Sequence, residues 1–73
     1  MNFYFFSPTC GPCKQISPKV DAAIKAGAHI QKVDASTDHG RYLARLFGVS
    51  ATPAYVKHDF SVLVGNEVAK EFE

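Results

Sequence analysis

Two cysteines three positions apart, Cys10 and Cys13, are all the cysteine that a chain of 73 residues carries, and this combination limits how it can fold. A domain of that length buries only ~60% of the surface its unfolded chain exposes, so its hydrophobic core is marginal. Small secreted domains make good the deficit with several disulfides that close long loops. A bond between Cys10 and Cys13 closes a loop too short to staple anything. The pair is therefore present for chemistry or for a metal, and the core alone must hold the fold. With 47% apolar and 21% charged residues the composition is that of a globular domain and not of a disordered tail. The length leaves room for one domain, residues 1–73.

Charge excludes some partners. Eight Lys and Arg against seven Asp and Glu leave a formal charge of +1, and neither sign forms a run. Such a chain lacks the basic footprint needed for nucleic acid or for an anionic membrane. The apolar start from Phe3 to Phe6 has no basic flank and is too short for a signal segment or a membrane span. The expectation is a soluble, cytoplasmic protein, most simply a monomer, in a compartment that keeps thiols reduced.

Periodicity divides the chain into alternating elements. Phe3–Phe6, an aromatic run stopped by Ser7-Pro8, reads as a buried strand. Cys13, Ile16, Val20, Ile24 and Gly27 recur at helical spacing, with Lys14, Lys19, Asp21 and Lys25 off that stripe. Pro12 suits the first turn of this helix and Gly27 its stop. Pro18 lies inside it and implies a kink one turn after the cysteines; the alternative is a helix that starts only near Ser17. His29–Asp34 reads as a second strand with Ile30 and Val33 inward. Ser36, Thr37 or Asp38 can cap a helix over 38–47 with Leu43, Leu46 and Phe47 facing the core and Gly48 ending it. Ala54–Lys57 and Ser61–Val64 form a hairpin whose turn, lacking Gly, is of open type. Asn66 can cap a last short helix with Val68 and Phe72 inward and Glu67, Glu71 and Glu73 outward. The order β-α-β-α-β-β-α gives a parallel pair extended by antiparallel strands, an α/β mixed sheet covered by helices.

The cysteines then fall where chemistry is favoured. Cys10 ends the loop after a strand and Cys13 sits in the first turn of a helix. Unsatisfied helix N–H groups and the helix dipole both favour negative charge on the Cys10 sulfur. In such C-x-x-C sites the thiol pKa falls from about 8.5 to ~7 or lower, which suits a nucleophile near ambient pH. Lys14 adds a nearby positive charge that solvent largely screens. Cys10 can attack a disulfide, and Cys13, deeper in the helix, can attack the Cys10 sulfur and release the product. Gly11 leaves the approach open and Pro12 stiffens the turn. The same two cysteines are also half of a zinc site, yet His29, His39 and His58 do not pair at ligand spacing. A C-x-x-C metal carrier is a further alternative. Small copper-chaperone domains have this size and cysteine placement, although their order is β-α-β-β-α-β and they carry Met where this chain has Pro8.

Cys10-Gly11-Pro12-Cys13-Lys14 followed by Pro18 resembles the active-site segment of thioredoxins, as does Phe47-Gly48-Val49-Ser50-Ala51-Thr52-Pro53 further on; Lys32-Val33-Asp34 is a weaker third match. The resemblance implies a thioredoxin-like fold in its compact β-α-β-α-β-β-α version, with a four-stranded mixed sheet, and a thiol–disulfide oxidoreductase that reduces protein disulfides. It also implies a cis bond at Thr52-Pro53, beside the sulfurs, with the Thr52 backbone pairing with an extended substrate segment; from the residues alone, Pro53 could equally open a strand. No bound cofactor is implied beyond the redox-active disulfide Cys10–Cys13. The electrons would come from an NADPH-dependent reductase or from glutathione.

The chain also departs from that family. Thr9 replaces the Trp that precedes the first Cys, and Tyr4 stands where thioredoxins bury an Asp that accepts the proton of the second thiol. Lys32 is then left without that partner, and water or the Lys32 amine would have to take the proton. The compact length resembles glutaredoxins and the glutaredoxin-like electron donors of ribonucleotide reductase, which makes a glutathione-linked role the alternative within the superfamily. Gly11-Pro12 and Gly65-Asn66-Glu67 do not match the glutathione-binding pattern, so protein disulfides are the expected substrates.

Overall fold

The computed structural model describes residues 1–73. Its strands are β1 (Asn2–Phe6), β2 (Ile30–Asp34), β3 (Ala54–Val56) and β4 (Val62–Val64), and its helices α1 (Gly11–Lys25), α2 (Asp38–Phe47) and α3 (Asn66–Glu71). The order along the chain is the expected one, and the strands form one mixed sheet, β2-β1-β3-β4. β1 pairs parallel to β2, with Tyr4 opposite Lys32, and antiparallel to β3, with Tyr4 opposite Tyr55.

The aromatic run lies in a central strand because successive side chains point to opposite faces, and both faces are covered. On one side Tyr4 packs with Ile16 and Val20 of α1, Tyr55 of β3 and Val68 of α3. On the other, Phe5, Val33, Ala54 and Val56 pack beneath Leu43 and Phe47 of α2. Tyr4 and Phe5 are both fully buried, each stabilising the fold by about 1.5–3 kcal/mol relative to exposure. Ring pairs extend both layers: Phe3 meets Phe47 and Tyr55 meets Phe72, each at 4.9 Å between centroids.

α1 runs unbroken through Pro18, so a start near Ser17 is excluded. Its first turn is held by a cap at Cys10 and by Pro12, whose missing N–H has no helical acceptor to lose. α2 is capped by the Thr37 hydroxyl, which accepts the Gly40 N–H at 2.9 Å. It ends at Gly48, whose φ of 75° lets the Val49 N–H reach the Ala44 carbonyl at 2.7 Å. The hairpin turn resolves without Gly: Phe60 takes the left-handed conformation. The Asp59 carboxylate accepts both the N–H and the hydroxyl of Ser61, at 3.0 and 2.7 Å.

Two expectations are corrected. Leu46 does not face the core but is 63% exposed. The inward stripe of α2 runs through Gly40, Leu43, Ala44 and Phe47, and Leu46 lies about 100° off it, beside the exposed Tyr42. Asn66 is not the cap of α3 but its first residue; Gly65 precedes it and offers no side chain to cap with. Strand ends otherwise shift by one residue, with Lys57 and Ser61 joining the turn.

Candidate active site

After β1 the chain turns through Ser7–Thr9, with the Cys10 N–H on the Ser7 carbonyl at 3.2 Å. Cys10 is the residue that caps α1, and its sulfur accepts the Cys13 N–H at 3.2 Å. No acidic side chain lies in the first helical turn, so the Cys10 sulfur is the group that meets the positive end of the helix dipole. Cys10 and Cys13 are joined as a disulfide, with 5.3 Å between their Cα atoms. The two are not equivalent: Cys13 is 2% exposed, whereas Cys10 is only half-buried. Gly11, Pro12 and Lys14 are exposed around them, and a side chain at Gly11 would meet nothing within 4 Å.

Thr52 and Pro53 reach the same end of the sheet. β1 and β3 are antiparallel with Phe5 opposite Ala54, so the segment leaving β1 and the segment entering β3 are neighbours. The Thr52–Pro53 bond is cis, Pro53 is buried and Thr52 half-buried. Pro53 offers its carbonyl to the Gly65 N–H at 3.0 Å. The backbone N–H and C=O of Thr52 form no hydrogen bond within the chain. Ser7 and Thr52 also share a surface cavity of about 350 Å³ that α2 helps to line.

Beneath the cysteines the Tyr4 hydroxyl pairs with the Ser17 hydroxyl at 3.0 Å, one helical turn beyond Cys13. Burial, partly offset by the bond to Ser17, holds the Tyr4 phenol above its ordinary 10.0; at neutral pH it is a neutral hydroxyl and not a base. Lys32 has a partner other than the carboxyl that the family places at the position of Tyr4. Its ammonium lies 2.9 Å from Asp21 of α1 and 5.2 Å from the centre of the Phe6 ring. The pairing was missed because Asp21 lies off the apolar stripe of α1; laying that helix over the parallel pair of strands would have found it. His29, His39 and His58 are exposed on three different segments, and no three His, Cys, Asp or Glu side chains are grouped to hold a metal ion. Arg41 and Arg45, which line the cavity beside Thr52, also went unnoticed in the sequence, although their spacing of four puts them on one helical face.

A capping cysteine bonded to a buried one at a helix start, with a cis-proline at the same end of a β2-β1-β3-β4 sheet, defines a thiol–disulfide site on an α/β scaffold. The sequence profile of the thioredoxin family, described as Thioredoxin, matches residues 2–70, and the chain belongs to that family. A thioredoxin of Streptomyces clavuligerus is 33% identical over 66 residues, 90% of this chain and 57% of that one. The reduced thioredoxin pre-protein of Schistosoma mansoni superposes with a TM-score of 0.74 at 31% identity, over 96% of this chain and 70% of that one. Fasciola hepatica thioredoxin superposes with a TM-score of 0.73 at 30% identity, over 96% and 71%. The chain thus spans somewhat under three-fifths of the length of the Streptomyces relative.

Proposed function

We propose that the protein is a dithiol–disulfide oxidoreductase that reduces protein disulfides, with Cys10 as the attacking and Cys13 as the resolving thiol. The observation that carries this reading is the asymmetry of the pair: a half-buried Cys10 whose sulfur accepts the first-turn Cys13 N–H, beside a Cys13 that is 2% exposed. In the reduced protein, the Cys10 thiolate attacks one sulfur of a substrate disulfide, forming a mixed disulfide and expelling one substrate thiolate. Cys13 gives up its proton and attacks the Cys10 sulfur, closing the Cys10–Cys13 bond and expelling the second thiolate. Two electrons pass to the substrate, whose two thiolates take up protons. Gly11, Pro12 and Lys14 shape the approach, and Thr52 and Pro53 hold an extended substrate segment, the free Thr52 backbone pairing with it as an added strand. Tyr4 is a neutral hydroxyl and the Lys32 ammonium is paired with Asp21, so neither is the acceptor, and we assign the Cys13 proton to solvent.

Recharging needs a two-electron donor; we assign it to an NADPH-dependent reductase before glutathione, because Gly11-Pro12 and Gly65-Asn66-Glu67 do not match glutathione sites. A reducing, cytoplasmic setting fits a chain whose only cysteines are this pair. The test is turnover of a protein disulfide with dithiothreitol as donor. The parent is expected to accelerate reduction, and Cys10→Ser to give no more than the background rate. Equal rates for the two proteins would remove this reading and turn attention to metal binding by the same cysteines.

A further inference from the structure

We infer that the cavity beside Thr52 is a specificity site for a carboxylate side chain in the segment that carries the target disulfide. This rests on the oxidoreductase reading and adds a substrate class to it. Arg41 and Arg45 line the cavity from α2, and Ser7, Ser50 and Thr52 line it from the two loops that meet at the active site. No acidic side chain lines it.

The charge balance within the cavity is uneven. Arg41 spends its charge on Asp38 at 2.8 Å. Of the two carboxylates that flank the cavity residue Ser36 at two residues' distance, the other, Asp34, is already engaged by the Ser36 N–H and hydroxyl, at 2.9 and 2.6 Å. Arg45 takes part in none of the three ion pairs of the molecule. The hydroxyls of Ser50 and Thr52 bond to nothing in the chain, and neither do the backbone N–H groups of Ser50, Ala51 and Thr52. One guanidinium outside any ion pair and several residues with unbonded donors thus border a recess of about 350 Å³, whose remaining lining includes Ala35, Ala44 and Val49. A guanidinium binds a carboxylate through two parallel hydrogen bonds, with more specificity than a point charge gives.

Position gives the cavity its meaning. An extended segment paired with the Thr52 backbone sends alternate side chains to opposite sides. Those on the α2 side are directed to the cavity that Arg41 and Arg45 line. A Glu or Asp there fills the recess; a Lys brings like charges together. The net charge of +1 gives no general attraction for acidic proteins, so the preference has to be local.

The test uses the 73-residue protein, dithiothreitol as donor, and peptide disulfides identical except for Glu, Gln or Lys beside the attacked cysteine. The expected order of kcat/KM is Glu, Gln, Lys. The Glu-to-Lys ratio should be about tenfold at low salt and approach one as salt screens the pair. In Arg45→Glu the order should invert. Equal Glu and Lys rates in the parent, or a ratio unmoved by Arg45→Glu, would overturn the inference while the Gln peptide still reports the oxidoreductase. Glutathione disulfide forms a further arm. If Arg45→Glu slows its reduction and leaves the peptide ratio alone, the cavity takes the carboxylate of a small molecule and the inference falls. Turnover of no peptide by the parent would remove the oxidoreductase reading, and this inference with it.

Discussion

Tyr4 shows how one side chain can serve the core and the site together. Its ring fills the layer between α1 and the sheet, and its hydroxyl finds one partner, Ser17, one helical turn beyond Cys13. Where the resemblance implied a buried carboxyl, the chain holds a neutral donor, so any proton leaving Cys13 must go elsewhere. The raised Tyr4 pKa makes this testable through stability. Above the ordinary value of 10.0 the unfolded phenol loses its proton while the folded one keeps it. The folded state then binds more protons, so stability, in full below that value, falls as pH rises through the folded pKa. Tyr4→Phe strands the Ser17 hydroxyl and should cost about 1 kcal/mol near neutral pH. It also removes the titration. The gap in urea midpoint between parent and variant should therefore narrow from neutral pH to one pH unit above 10.0; a constant gap would contradict this account.

At the scale of elements, α2 is both the cover of one sheet face and the wall of the cavity, and a single glycine sets its distance. Gly40 is buried, and a Cβ there would collide with the Asp34 carbonyl at the end of β2. The obstacle is backbone, which cannot rotate away. Gly40→Ala should therefore push α2 off the sheet and cost about 2 kcal/mol or more, seen as a lower denaturation midpoint. A midpoint within error of the parent would show that β2 and α2 are less tightly apposed. Periodicity revealed the span of α2, because Leu43 and Phe47 recur a turn apart and Gly48 ends the run. It did not place Leu46 or the close approach at Gly40. An apolar residue beside a stripe looks much like one on it, and a backbone contact leaves no trace in hydropathy. The same limit explains the site. The cysteine motif and the proline were legible as local patterns with their own chemistry. The Lys32–Asp21 pair and the cavity at Arg45 exist only once α1 and α2 are docked on the sheet.

Across the whole molecule, stability and chemistry rest on different parts. Two apolar layers, one on each face of the sheet, hold the fold, and the disulfide at one end of it spans a sequence separation of 3. Closing so short a loop restricts the unfolded chain by about 2 kcal/mol at most. Reduction also leaves the Cys10 sulfur at the positive end of α1, where the Cys13 N–H already points at it, which offsets part of that loss. The proposed cycle requires a protein that stays folded in both redox states, and a loss of this size is small beside the two apolar layers that hold the fold. Adding dithiothreitol should leave the far-ultraviolet circular dichroism unchanged and lower the unfolding free energy by no more than about 2 kcal/mol. Val68→Ala, which empties a fully buried position between α3 and the sheet, should cost a similar amount, about 2 kcal/mol, in either redox state. Loss of the cooperative transition on reduction would mean that the bond is a staple after all. The oxidised form would then be the only folded one, and a cycle that passes through free thiols could not run.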